Sequence, residues 1–424
     1  MQRFYTNLTK QKDRILERYV EDGVRKMREI SFQPSLYTVS TNADSPYKSL
    51  NGIPLERIVF DNNYAMEEWM EQMKNIPNFK IYGIDNPLAQ YSAEHYPEKE
   101  IKFDMKYIRG ALVDIEVESG TITADGKIQP GPFPDPALAL YPITAITTYD
   151  TFTEKFYVLG LEHFQGHDLG TFDVNKLPEQ VRKTVKPEDI VYVGYDNEID
   201  LLYDFVDQYE SHQYDYISGW NSDTFDIAYF CNRIDKLLGR DILNRISPHG
   251  YCRKRTFNGK YGEEVTFTIS GISNLDLKES VAKHGFIELD NNKLNTAAQH
   301  YLKEEKVDHS EFSSLTEFYI KDYQNYIGYN IHDVNLVLRI AQKTKLLQLA
   351  YTLAFLYHCN PDDTNATVLP WQYLMYGYGA RNNEFSEIRP RVNSKPDYAG
   401  GYVKEVTPGR YENVMSSDAN ALNI

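Results

Sequence analysis

Cysteine is nearly missing from this 424-residue chain: Cys231, Cys252 and Cys359 are the three present, and no two are spaced as a pair. That excludes a disulfide framework and a zinc ribbon, and it points to a reducing, cytoplasmic setting. Long apolar runs are missing too. No segment approaches 18 uncharged apolar residues, so no transmembrane helix and no membrane partner are expected. The first residues, MQRFYTNLTKQKDR, lack the apolar stretch of a signal peptide. Internal repeats and low-complexity segments are not seen. Basic residues are in deficit, with 45 Lys and Arg against 61 Asp and Glu and a net charge of −16. A broad nucleic-acid-binding surface would show a basic footprint. Contact with a polyanion is therefore expected only in a groove, and the acidic balance suits a site that holds divalent metals on carboxylates.

Tyrosine, by contrast, is abundant at 34 residues. Tyrosines can stack on unpaired bases, although most here read as partly buried surface aromatics. Residues 1–107 mix short strands with a helix. Alternation runs from Arg14 to Val24, PSLYTVS (34–40) reads as a strand, and NNYAMEEWMEQMKNI (62–76) has the apolar spacing of an amphipathic helix. From about residue 108 the pattern changes. IRGALVDIEVES reads as a buried strand, followed by PITAITTYD and FYVLGL. Strand and helix then alternate: DIVYVGY (189–195), EIDLLYDFVDQYESH, YDYISGW (214–220) and TFDIAYFCNRIDKLLG. This is the pattern of an α/β sheet domain. One or two helices are expected over 314–349, and loops with two strands after about 385.

Three groups of residues carry the chemistry. Asp114 and Glu116 stand two apart in ALVDIEV, so both face one side of a strand. Two carboxylates together in an apolar strand repel each other and resist burial, and a metal ion removes both objections. Asn221, Phe225 and Asp226 follow about 105 residues later in GWNSDTFDIAYF, where a strand ends and a helix begins. Open α/β sheets build their sites at such strand ends. Tyr329 and Asp333, roughly 105 residues further on, are four apart on a helix and share a face. Each group alone has a plainer reading: an edge-strand face, a helix cap, a polar helix surface. Together they fit a centre that holds two divalent cations.

This order, D-x-E, N-x3-F-D, Y-x3-D, resembles the exonuclease motifs I, II and III of proofreading DNA polymerases, the DEDD nucleases with a motif III tyrosine. YDNEIDLL, SGWNSDTFDI, RISPH, GISNLD and GYNIHDV also look like segments of the B-family DNA polymerases of T-even-like bacteriophages. The resemblance implies an RNase-H-like exonuclease domain over 108–340. It implies an α+β N-terminal domain over 1–107, completed by about 341–382, and the start of a polymerase palm over 383–424. It implies 3′→5′ hydrolysis with two Mg²⁺ or Mn²⁺ ions on Asp114, Glu116, Asp226 and Asp333, and Tyr329 orienting the attacking water or the phosphate. DNA, as primer-template and as single strands, is the implied substrate. A sliding clamp and other replisome proteins are implied partners, in the cytoplasm of an infected host.

Towards the end, DYAGGYV looks like the family's Y-x-G-G region, with Tyr398, Gly400 and Gly401. Asp418, in VMSSDANALNI, stands where palm motif A carries a metal-binding aspartate. Asn423 replaces the motif A tyrosine, and no second catalytic aspartate motif, fingers or thumb follows. The expectation is that a second, C-terminal polypeptide supplies the rest of the polymerase. The alternatives are a piece of a longer chain, a self-sufficient nuclease, and a nucleic-acid-binding regulatory module.

CRKRTFNGKYGEEVTFTI (252–269) reads as a β-hairpin turning at Asn258-Gly259. Its basic side, Arg253, Lys254, Arg255 and Lys260, is expected to contact DNA, as are Asn221 and Phe225. The family counterpart of this hairpin helps to separate primer from template. His163-x3-His167 has metal-ligand spacing but no third ligand, and Asn258, Gly259 and Gly262 lack the strand-to-helix context of a phosphate loop.

Overall fold

The computed structural model describes residues 3–259, 262–285, 289–307 and 311–388, together with Gly409 and Glu412. Lys260, Tyr398, Gly400, Gly401 and Asp418 lie outside the described residues. The described residues up to Ile388 belong to one compact unit.

Strands β1 (Arg3–Gln11), β2 (Arg14–Glu21) and β3 (Val24–Ser31) form an antiparallel sheet. Glu17 of β2 is fully buried. A bare buried carboxylate would be costly. Here it receives Arg3 at 3.0 Å and the Tyr91 hydroxyl at 2.9 Å, and it also contacts Arg28 and Tyr96. A second sheet begins with β4 (Ser35–Val39), β5 (Tyr47–Ser49) and β6 (Pro54–Val59), with α1 (Asn63–Met73) and α2 (Pro87–His95) following. Helix α2 is absent from the sequence reading. Its signal was short: Asn86 caps it, accepting from Leu88 N at 3.0 Å, and Pro87 takes the first turn.

The central sheet starts with β7 (Gly110–Val117). After a small hairpin of β8 (Thr121–Ile122) and β9 (Ile128–Gln129) come β10 (Ile143–Asp150) and β11 (Lys155–Leu161). A second small hairpin, β12 (His163–Phe164) and β13 (His167–Asp168), carries the two spaced histidines; His163 meets Asp196 at 3.1 Å. The chain continues through α3 (Glu179–Arg182), β14 (Ile190–Tyr195), α4 (Glu198–His212), β15 (Tyr216–Ser218), α5 (Asp226–Leu237) and α6 (Arg240–Asn244). Next come β16 (Cys252–Gly259), β17 (Gly262–Ile269), β18 (Ser273–Asn274), α7 (Leu277–His284) and α8 (Leu294–Leu302). The six-stranded order is β14-β11-β10-β7-β15-β18, with β10 antiparallel to both neighbours and the outer pairs parallel. This is the RNase-H-like, mixed α/β arrangement that the motif order implied.

Where one or two helices were expected over 314–349, three are found: α9 (Leu315–Lys321), α10 (Tyr323–Thr344) and α11 (Leu346–Tyr357). Two breaks divide them. The Asp322 side chain caps α10 by accepting from Asn325 N, and Lys345 turns left-handed at φ 55°. Beyond them, α12 (Leu369–Asn382) leads to β19 (Glu384–Phe385), which pairs in parallel with β5. The chain thus still belongs to the N-terminal sheet at Phe385, just past the residue where the palm was expected to start.

Sheet periodicity places the acids. In β7, Ala111, Val113 and Ile115 face an apolar core with Leu201, Phe205 and Phe230 of α4 and α5. Leu112 belongs to the opposite core, which contains Ile331, Val334 and Leu336 of α10. Asp114 and Glu116 have the parity of Leu112 and therefore look toward α10. No helix among the described residues is long and apolar enough to cross a membrane.

Candidate active site

Asp114, Glu116 and Asp333 each offer a carboxylate oxygen, and these atoms lie within 4.8 Å of one another. Strand β7 supplies two of them and α10 the third. Asp333 is buried, while Asp114 and Glu116 are half-buried. Asp226 does not join that group of three. It is the first residue of α5, buried, and its Oδ1 accepts the backbone N–H of Ile115 at 3.0 Å. The second motif is thereby fastened to the strand that carries the first.

The loop before α5 has little freedom. A Cβ on Gly219 would lie 2.7 Å from the Val113 carbonyl, so only glycine lets the loop cross β7 there. Asn221 adopts φ 67°, a conformation that asparagine tolerates better than most residues. Asp276, which caps α7, holds the loop from outside, accepting Asn221 N at 3.1 Å and Asp223 N at 3.3 Å.

So much negative charge in a confined space changes its own acidity. Burial, then Asp226, Glu116 and Asp333, pushes Asp114 well above the carboxylate range. Burial and Asp333 push Glu116 up to about 8, against the opposing pull of Lys306. Burial raises Asp226 to about 7. Asp333 is raised by burial despite the Lys306 ammonium beside it.

Lys306 and Asn330 are the residues that sequence reasoning missed. The Lys306 ammonium pairs with Asp333, donates to the Tyr329 hydroxyl at 2.8 Å and stands 4.8 Å from the centre of its ring. Asn330 Nδ2 donates to Asp114 Oδ2 at 2.8 Å. Nothing in YLKEEKVDH singles out Lys306 from the solvated charges around it. Asn330 sits inside the Y-x3-D motif and was legible by position.

Among the expected DNA-contacting residues, Phe225 lies against Phe133, with ring centres 5.5 Å apart; Phe133 is among the most exposed apolar side chains. The Asn221 side chain accepts from Lys278 at 2.6 Å. The basic triplet does not form one patch. Lys254 turns to Asn232 of α5 at 2.9 Å, Arg255 lines a cavity with Asp223 and Asp362, and Arg253 lines a groove with Lys10 and Lys12. The hairpin's register differs from that read at Asn258-Gly259. Asn258 pairs with Glu263 and Gly259 with Gly262, so both lie on the strand. Cys252, Val265, Phe267 and Ile269 are buried in the core at its base, and that burial overrides the local turn preference.

The donor set fits hard divalent cations. All three grouped ligands are carboxylate oxygens, and Asp333 Oδ1 is a buried acceptor without a hydrogen-bond partner.

The family model described as DNA polymerase family B, exonuclease domain, matches residues 54–297. This chain belongs to the B-family DNA polymerases. The match contains Asp114, Glu116 and Asp226 and stops before Tyr329 and Asp333. The chain is 30% identical over 433 residues to the DNA-directed DNA polymerase of Escherichia phage RB69, covering 100% of this chain and 46% of the relative. It is 27% identical over 436 residues to that of Enterobacteria phage T4, again 100% and 46%. DNA polymerase II of Escherichia coli (strain K12) is 24% identical over 361 residues, 82% of this chain and 43% of that protein. The chain spans about half the length of the curated phage relatives it matches. Exonuclease domains of this B-family kind normally use divalent metal ions, and the acidic cluster of β7 and α10 is a group of carboxylates that could hold one.

Proposed function

We propose that this chain removes nucleotides from the 3′ end of DNA by metal-dependent hydrolysis, as the editing part of a replicative DNA polymerase. The observation that carries the reading is the convergence of Asp114, Glu116 and Asp333 within 4.8 Å, from two elements far apart in sequence. Asp114, Glu116, Asp226 and Asp333 would hold two Mg²⁺ or Mn²⁺ ions. Ions held there would supply the Lewis acidity that activates a water and offsets charge on the phosphodiester. The residues do the rest. Lys306 keeps Asp333 and the Tyr329 hydroxyl in place, and that hydroxyl orients the water or the scissile phosphate. Asn330 fixes the rotamer of Asp114. Phe225 and Phe133 offer faces on which the terminal bases can stack.

The test is digestion of a 5′-labelled single strand with Mg²⁺. The parent chain should shorten it from the 3′ end, and Asp114→Ala/Glu116→Ala should not, while unfolding at a similar denaturant concentration. Cleavage by the double variant at the parental rate would refute the site.

DNA synthesis is a separate proposal. Nucleotidyl transfer needs two metals on carboxylates from separate strands, and Asp418 matches one of those carboxylates. Primer extension is therefore expected where the remaining palm, fingers and thumb are present together with these residues. A sliding clamp is a proposed partner of that assembly.

A further inference from the structure

Away from the acids, a cavity of about 280 Å³ opens between the β2–β3 hairpin and the entrance of the central sheet. Four cations line it, Arg18, Arg25, Lys26 and Arg109, with Asp215 as the one acid. Asp215 is buried and shared: Oδ1 takes Arg25 at 3.0 Å, Arg18 at 3.2 Å and the Thr6 hydroxyl at 2.8 Å, and Oδ2 takes the Arg109 backbone N–H at 2.8 Å. Arg18 spends its remaining bonds on the carbonyls of Gln213, Tyr214 and Gly271. The Arg109 side chain gives Nη1 to the His212 carbonyl at 3.2 Å and lies over Phe152, but its Nε is buried without a hydrogen-bond partner. Lys26 reaches Glu21 at 2.6 Å and stays well exposed. Asp150, a further acid nearby, sits 3.6 Å from His212. One carboxylate thus serves two guanidinium groups and a backbone N–H, and a donor in the wall has nothing to bond.

We infer that this cavity is an anion site that takes a phosphate group. Arg25, Lys26 and the Arg109 edge supply the donors, and guanidinium groups match phosphate oxygens in geometry. Burial lowers the pKa of Arg18, where Asp215 opposes the shift and Arg25 adds to it, and burial and then Arg25 lower that of Arg109; a bound anion would relieve both. Arg109 directly precedes β7, and Asp114 lies five residues along that strand. At ~3.3 Å per residue the cavity is roughly 16 Å from the acids, at the other end of the sheet. A phosphate bound there would join the N-terminal hairpin to the central sheet without taking part in hydrolysis.

The group can come from a nucleotide or free phosphate, or from a nucleic-acid backbone. The experiment is calorimetric titration of the full chain in EDTA with potassium phosphate, against potassium chloride at matched ionic strength. Thymidine 5′-monophosphate and a 12-mer without terminal phosphates serve as competitors. Phosphate should bind the parent chain, and Arg25→Gln/Lys26→Gln should weaken it about tenfold or more. Digestion of single strands should be unchanged. Competition by the mononucleotide alone assigns a phosphomonoester, and competition by the 12-mer assigns the backbone. If the double variant does not fold, Lys26→Gln alone, on an exposed side chain, should still weaken binding several-fold. No phosphate heat beyond that of chloride, or equal binding by parent and folded variant, overturns the inference.

Discussion

The backbone N–H of Ile115 donates to the Asp226 carboxylate at 3.0 Å, from the position between Asp114 and Glu116. A carboxylate from motif II is thus registered against both acids of motif I by one hydrogen bond. The carboxylate does two jobs there, as a charge and as an acceptor, and substitution can separate them. Asp226→Asn keeps an acceptor for Ile115, and Asp226→Ala does not. Both should lower nuclease turnover by on the order of 10²-fold or more. Urea unfolding in EDTA should show the alanine variant less stable than the asparagine variant by about 1–2 kcal/mol, the cost of a buried N–H without a partner. Equal stabilities would mean that water or a shifted neighbour replaces the bond.

The raised acids make the metal-free fold sensitive to pH. Glu116 is pushed up to about 8 and Asp226 to about 7, above their ordinary values of 4.5 and 3.8. Between roughly pH 4 and 8 the folded chain therefore holds protons that the unfolded chain has lost. Stability from these groups is fully present below the ordinary values and is lost as pH rises through the raised ones. Melting in EDTA should fall from pH 5 to pH 8, and Glu116→Gln should flatten the decline. Because cations compete with those protons, Mg²⁺ should raise the melting temperature more at pH 8 than at pH 5.5. A metal-free profile that rises over this range would contradict the electrostatics of the site.

Lys306 and Tyr329 form a unit with Asp333. On the proposed reading the phenol orients and does not carry the metal charge, so Tyr329→Phe should cost on the order of 10²-fold in turnover. Lys306→Met should have an effect of the same order. Asp333→Ala should cost more than either. Single-turnover digestion at saturating Mg²⁺ would rank the three. A tyrosine variant as damaged as the Asp333 variant would assign the phenol a larger role than orientation.

The hairpin of β16 and β17 should matter for duplex ends only. A paired 3′ terminus has to be unstacked before it can reach the acids, at a cost of a few kcal/mol. Deleting Phe257 to Tyr261 should slow digestion of a blunt duplex and spare single strands. Equal loss on both would point to damage at the buried base of the hairpin, where Cys252 pairs with Ile269.

The sequence by itself determined which candidate ligands share a face. A two-residue period puts Asp114 and Glu116 on one face of a strand, and a four-residue step puts Tyr329 and Asp333 on one face of a helix. Those faces are set locally, whatever the rest of the chain does. Only the tertiary structure decided which face meets which. Packing of α10 on the Leu112 side of β7 brings Asp333 to the pair. It also draws Lys306 out of an unpatterned run of charges and onto Tyr329. The basic triplet shows the reverse case. Arg253, Lys254 and Arg255 are contiguous in sequence, yet strand alternation and the buried base of the hairpin send them to different neighbours. The sharing of Asp215 among arginines from positions 18, 25 and 109 has no local signature either. Contacts between segments so far apart follow from the packing of whole elements, and no short period in the sequence records them.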